Sequence, residues 1–213
     1  MLRLPGGGPP LPASSLASGL SVAVFAYGSL VSRASAAQTL GRPVPPPIAA
    51  RLRGFRRNWT LARDNARSEK TFARADGTLP RFCLSLNLEP AETAAAPNGA
   101  LIELTEAELE RLDLREMRYD RIEVTDWIEA RERAAGSFDR VIAYRAREHH
   151  HQPTPPAGAI VIAGYLRTVE AAFDELGPGE RERFRATTAE PPVEVVEAVL
   201  VEDRIPPGNP RDW

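Results

Sequence analysis

Short apolar blocks alternate along the chain with polar connections rich in proline and glycine, a rhythm that predicts many strands and few helices. Six consecutive apolar residues, Val22 to Tyr27, predict a strand buried on both faces. The run stops at Gly28-Ser29, a permissive residue followed by a natural cap or turn residue, and a helix-like segment follows. Ser32 to Leu40 reads as a short helix closed by Gly41, with Pro43 beyond it. Pro45 to Pro47 then impose an extended connection. Ile48 to Trp59 reads as one strand with an apolar and a solvated face, bent at Gly54. Residues 63 to 78 are polar and end in Asp76-Gly77, which predicts a loop or hairpin turn. The clearest period of two lies in Phe82, Leu84, Leu86 and Leu88, alternating with Cys83, Ser85 and Asn87, and Pro90 ends that strand.

Asn98-Gly99 predicts a turn into a strand over Ala100 to Leu104. Thr105 and Glu108 have the spacing of a capping box. The helix they open carries Leu109 and Leu112 on one face and is expected to end near Asp113. Ile122 and Val124 alternate in the next strand, so Glu116 falls at a junction between a helix end and a strand. Such junctions commonly present functional side chains. Val141 to Tyr144 and Ile160 to Ile162 predict two more strands. Gly164 to Leu176 predicts a helix with Tyr165, Val169, Ala172 and Leu176 on one face and Gly177 as its stop. A short helix near Glu182 to Thr187 and a late strand over Val193 to Val201 follow. The expected organisation is a disordered Pro/Gly-rich tail over residues 1–20, one domain over 21–190, and a C-terminal extension over 191–213 containing that edge strand.

Composition narrows the function classes. A chain of 213 residues, 43% hydrophobic and 26% charged, suits one globular domain with a sizeable core. The net charge of -2 gives no global reason to bind nucleic acid or an anionic membrane. Arg51, Arg53, Arg56 and Arg57, interleaved with Leu52, Phe55 and Trp59, are therefore read as a solvated strand face and not as a nucleic-acid surface. No apolar run approaches a membrane span and no signal-peptide pattern is present, which predicts a cytoplasmic location. The single cysteine, Cys83, excludes an intramolecular disulfide and a Cys-rich metal site, and reads as an inert core or barrel-lining residue. The only histidines, His149, His150 and His151, are adjacent in a Pro-rich loop and are poorly placed to converge on one ion. None is left for a Ser-His or Cys-His pair. An enzyme built from this chain must work with carboxylates, tyrosines and backbone amides.

Two motifs sharpen that expectation. Phe25-Ala26-Tyr27-Gly28-Ser29-Leu30, followed much later by Leu112-Asp113-Leu114-Arg115-Glu116 and Tyr119, resembles the γ-glutamylcyclotransferase-like superfamily. The resemblance runs over residues 21 to 176. It implies an α+β fold, a small mixed β-barrel with flanking helices. It also implies an intramolecular cyclisation, in which the α-amine of a γ-glutamyl group attacks its own γ-carbonyl. The products are 5-oxoproline and a free amine, amino acid or peptide, and neither metal nor organic cofactor is required. On this resemblance Glu116 is the general base. Val24, Phe25, Ala26, Tyr27, Gly28, Ser29 and Leu30 form the substrate-cradling loop, and Tyr119 and Tyr165 support the substrate. The turn at Tyr27-Gly28-Ser29 suits a carboxylate, which its backbone N–H groups can hold. The alternative is a catalytically silent member of the same fold that binds a small metabolite or a partner protein. The implied partner is a small γ-glutamyl compound, with no nucleic acid and no membrane, and a homodimer is compatible with it. In many members a glycine and several more residues separate the base from the following tyrosine. Here only Met117-Arg118 do, so the loop that shapes the leaving-group pocket is shorter.

Overall fold

Val22 to Tyr27 lie at the centre of the molecule, and every residue of the run is buried. The strand they form, β1 (Val22–Ala26), runs antiparallel to β6 (Asn98–Leu104) and parallel to β9 (Arg140–Ala146). The structure is a computed structural model that describes residues 21–92, 95–130 and 138–210. The tail expected over residues 1–20 lies outside the described residues.

β1 belongs to a six-stranded mixed sheet, completed on one side by β7 (Tyr119–Glu123) next to β9, and on the other by β2 (Ile48–Leu52) and β8 (Ile128–Ala130) beyond β6. A four-stranded sheet has the order β11 (Val195–Val196), β10 (Ala159–Ile162), β5 (Phe82–Pro90) and β3 (Phe55–Asp64). A ribbon of β4 (Lys70–Arg74) and β12 (Ala198–Asp203) completes the strands. The curled sheets make a small mixed barrel flanked by α1 (Arg33–Leu40), α2 (Glu106–Arg115), α3 (Ala163–Leu176) and α4 (Glu180–Ala186), the α+β fold that the motifs imply. Phe25, Leu52, Phe55, Leu86, Leu101 and Ile142 fill the interior between them. No helix among the described residues is long and apolar enough to cross a membrane.

The helix ends follow their sequence signals. The Ser32 side chain accepts from the Ser35 N–H at the start of α1, and Gly41 closes it with a left-handed φ of 74°. Thr105 and Glu108 exchange side-chain and backbone hydrogen bonds as a capping box. That helix continues past Asp113 to Arg115, so Glu116 is its C-terminal cap and β7 begins directly after Met117-Arg118.

Four expectations need correction. Ile48 to Trp59 is not one bent strand: Gly54, with φ 71°, turns the chain out of the six-stranded sheet and into the four-stranded one. The polar stretch 63–78 contains β4, whose partner strand β12 lies far down the chain and leaves no local trace. Asn98 and Gly99 lie inside β6 and do not turn. A Cβ on Gly99 would stand 2.2 Å from the Ala26 carbonyl oxygen, so the glycine lets the backbone of β1 approach. The late strand over Val193 to Val201 is two short strands, β11 and β12, in different sheets.

Candidate active site

Where β1 ends, Ser29 to Val31 make a single 3-10 turn, with the Val31 N–H donating to the Gly28 carbonyl at 3.0 Å. The leading N–H groups of any helical turn have no acceptor within it. Gly28 has an ordinary negative φ of -136°, so it is not there for a left-handed backbone. Proximity explains it better. A Cβ at that position would lie 3.3 Å from the Tyr165 hydroxyl oxygen and 3.7 Å from Leu86 Cδ1.

The turn is anchored from below by Arg57, which corrects the expectation of a solvated arginine face. Arg57 is fully buried. Its Nη1 donates to the Tyr27 carbonyl at 2.9 Å, and its Nη2 to Asn98 Oδ1 at 2.8 Å and Thr187 Oγ1 at 3.3 Å. The guanidinium carbon lies 5.0 Å from the Phe173 ring centre and 4.5 Å from that of Phe184. Loss of water pushes the guanidinium down to about 9, and the ring faces with three oxygen acceptors offset part of that cost. Nothing in the local pattern announces this, because the two rings come from α3 and α4.

Glu116 reaches the same turn through its neighbour. Arg115 is almost fully buried, and its Nε donates to Glu116 Oε1 at 3.1 Å while its Nη2 donates to Ser29 Oγ at 3.2 Å. Its Nη1 is held by Thr39 Oγ1 and by the Ser35 carbonyl of α1. One guanidinium, fixed on α1, therefore brings the glycine turn and the glutamate together. Burial raises the Glu116 carboxyl above the ordinary glutamate range, and the Arg115 charge and hydrogen bond limit the rise. Arg115 was visible in the motif but carried no role there.

Tyrosines surround this pair. The Tyr27 hydroxyl donates to the Tyr144 carbonyl at 2.7 Å, the Tyr119 hydroxyl to the Leu86 carbonyl at 2.9 Å, and the Tyr144 hydroxyl to Asp113 Oδ1 at 2.7 Å. Tyr165 packs edge-on against Trp59, with ring centres 6.2 Å apart. Burial pushes all four phenols up, so each is a neutral O–H at physiological pH.

The candidate site residues named with the two motifs border one hollow. Val24 to Leu30, Glu116, Tyr119 and Tyr165 line a cleft of about 50 Å³, with Leu86 and Tyr144. The strand residues among them, Val24, Phe25 and Ala26, form its floor and are themselves buried. Ser29, Glu116, Tyr119 and Tyr165 also line a larger cavity of about 420 Å³, which opens toward Phe72, Cys83 and Leu200. Cys83 is buried, and loss of water raises its thiol, the opposite of an activated thiolate. The histidine loop takes no part either: His151 Nε2 stands 2.9 Å from Glu89 Oε1, well down β5. Among the described residues no group of three or more His, Cys, Asp or Glu side chains is arranged to hold a metal ion.

Comparisons with known proteins fall on the fold. No family model matches the chain. No curated protein matches it by sequence. Among solved structures, one described as a gamma-glutamyl cyclotransferase is 17% identical, with a TM-score of 0.53 over 83% of this chain and 94% of its own. An uncharacterized protein from Homo sapiens is 16% identical, with a TM-score of 0.51 over 80% of this chain and 89% of its own. YkqA from Bacillus subtilis is 16% identical with a TM-score of 0.49; the match takes in 80% of this chain, which spans only 56% of the YkqA chain. The chain has the γ-glutamylcyclotransferase-like fold that its two motifs resemble.

Proposed function

We propose that this protein is a cyclotransferase that converts a γ-glutamyl compound to 5-oxoproline and a free amine, with Glu116 as its general base. The observation that carries this reading is the Arg115 guanidinium, which ties Ser29 of the glycine turn and the Glu116 carboxylate to the same edge of one cavity.

The reaction joins two groups already on one molecule, so holding a near-attack geometry does most of the work. In this reading the N–H groups at Gly28-Ser29 hold the substrate α-carboxylate, and the missing Cβ of Gly28 leaves room for it beside Tyr165. The Glu116 carboxylate takes a proton from the α-ammonium. The freed amine attacks the γ-carbonyl carbon, and a tetrahedral adduct forms. Glu116 returns that proton to the leaving nitrogen, and the oxyanion re-forms the carbonyl as the amide C–N bond breaks. The ring nitrogen passes its second proton to the departing amine, and the neutral five-membered lactam remains. A carboxyl raised by burial is a stronger base than one in water, while Arg115 favours its ionised form and limits the rise. The neutral Tyr165 hydroxyl lines the same hollow and can donate to a polar group of the substrate, while the Tyr119 hydroxyl, whose proton goes to the Leu86 carbonyl, offers only its oxygen.

Incubating the purified protein with a panel of γ-glutamyl amino acids, amines and peptides, glutathione included, tests the proposal. Release of 5-oxoproline from at least one of them is expected. Its absence across the panel overturns the reading.

A further inference from the structure

The sequence of β12 and its surroundings disagree. Ala198-Val199-Leu200-Val201 is an unbroken apolar run, the pattern of a strand buried on both faces, as β1 is. Yet among the described residues β12 pairs with β4 alone, and Val199, Leu200 and Val201 are 61%, 46% and 54% exposed. Seven large apolar side chains are exposed among the described residues, and four of them, these three and Val195, fall within residues 195–201. Exposed apolar residues scattered singly are ordinary, but a run of them along a strand edge is a template for pairing with another strand.

The charges at the two ends of the run say what fits there. When two copies of β12 pair antiparallel about an axis between Leu200 and Val201, Leu200 of each copy lies opposite Val201 of the other. Glu197 then lies opposite Arg204 at both ends. Sliding the register by one or two residues in one direction sets Glu197 against Asp203 or Glu202, which are like charges, and in the other against Ile205 or Pro206. Of these registers the centred one alone joins the apolar middles and the opposite charges together. The side chains of Glu197 and Arg204 are 68% and 43% exposed, and their own-chain partners Arg167 and Glu202 are exposed too, so re-pairing them costs little. The ladder to β4 also steps over Val201, a bulge that leaves this residue without a partner on β4.

We propose that β12 is an interface strand, on which a second copy of this chain pairs antiparallel in the centred register. Two ribbons become one continuous sheet in the order β4-β12-β12-β4. A two-stranded ribbon is marginal by itself, and the added strands give β12 the central position that its sequence suits. Backbone hydrogen bonds supply most of the attraction, and the apolar run with its flanking charges sets the register. The proposal stands apart from the reaction, since it uses neither Glu116 nor the glycine turn.

Sedimentation velocity on the full chain over a range of concentrations tests it. A monomer–dimer equilibrium is expected, and a monomer at every concentration overturns the proposal. Val201→Lys puts a cation on the pairing edge and should raise the dimer dissociation constant about 10-fold or more. Glu197→Arg meets Arg204 with a like charge and should raise it about 3- to 10-fold, and adding Arg204→Glu should recover most of that loss. A dimer indifferent to folded Val201→Lys or Glu197→Arg, or one that the folded double variant does not restore, overturns the proposal. Where circular dichroism shows that a variant does not fold, hydrogen exchange on the wild-type chain decides. The amides of residues 198–203 should gain protection as concentration rises. Constant protection means that the chain itself covers the strand, constant exposure that its partner is a different protein, and either result overturns the proposal.

Discussion

Glu116 and Glu89 expose similar fractions of their side chains, 18% and 11%, yet their carboxyls are displaced in opposite directions. Glu89 accepts from Arg56 at 3.0 and 2.8 Å, Asn58 at 2.6 Å, Thr60 at 2.7 Å and His151 at 2.9 Å. Burial alone would raise its carboxyl, but these donors outweigh it and hold the group down at about 2. Glu116 has one side-chain donor, Arg115, and there burial prevails. The two carboxylates differ in the number of donors around them, and the one with a single donor is the one that burial governs.

The largest effect is expected from removing the base. Glu116→Gln should lower 5-oxoproline formation by about 1,000-fold or more while thermal unfolding stays close to wild type. Turnover within tenfold of wild type would remove Glu116 from the mechanism. The next largest should come from Arg115→Gln, which withdraws the donor that distinguishes Glu116 from a wholly desolvated acid. The acid limb of kcat/KM is expected above the ordinary glutamate range in the wild type, because the base must be ionised. It should move to still higher pH in the variant, with turnover down about 10- to 100-fold. A pH profile that does not move would mean that Arg115 only braces the fold.

Glu89 gives the opposite outcome. Its depressed carboxyl stabilises the folded state above the unfolded-chain value, and that contribution is lost as pH falls toward about 2. Glu89→Gln should therefore cost about 2 kcal/mol in urea unfolding at neutral pH and progressively less in acid. A constant difference from neutral pH to pH 3 would contradict the comparison. The smallest effect is expected at the turn. Gly28→Ala places a methyl 3.3 Å from the Tyr165 hydroxyl and should raise KM several-fold, with stability changed by less than about 1 kcal/mol.

Much of the scaffold was legible because its signals are local. The apolar run of β1, the Ser32 and Thr105 caps and the alternation in β5 each depend on neighbours within a few residues. Glu116 could be placed at a helix–strand junction for the same reason. Arg57 could not be read as buried, since its acceptors and stacking rings arrive from β1, β6, α3 and α4, and its own strand shows only a cation at a polar position. β4 was hidden likewise: Lys70–Arg74 becomes a strand only because Ala198–Asp203 lies beside it. Gly28 was legible as a glycine needed at that position. The reason, room beside Tyr165, is a fact of tertiary structure.

The bond from Arg57 to the Tyr27 carbonyl couples the glycine turn to the packing of α3 and α4. The guanidinium has somewhere to lie only once Phe173 and Phe184 have docked, and only then is the carbonyl that fixes the glycine turn held in place. A barrel on which α3 and α4 had not docked would lack both Tyr165, which α3 carries, and the anchor of the glycine turn. The buried cation thus makes the geometry of the turn depend on two helices far along the chain.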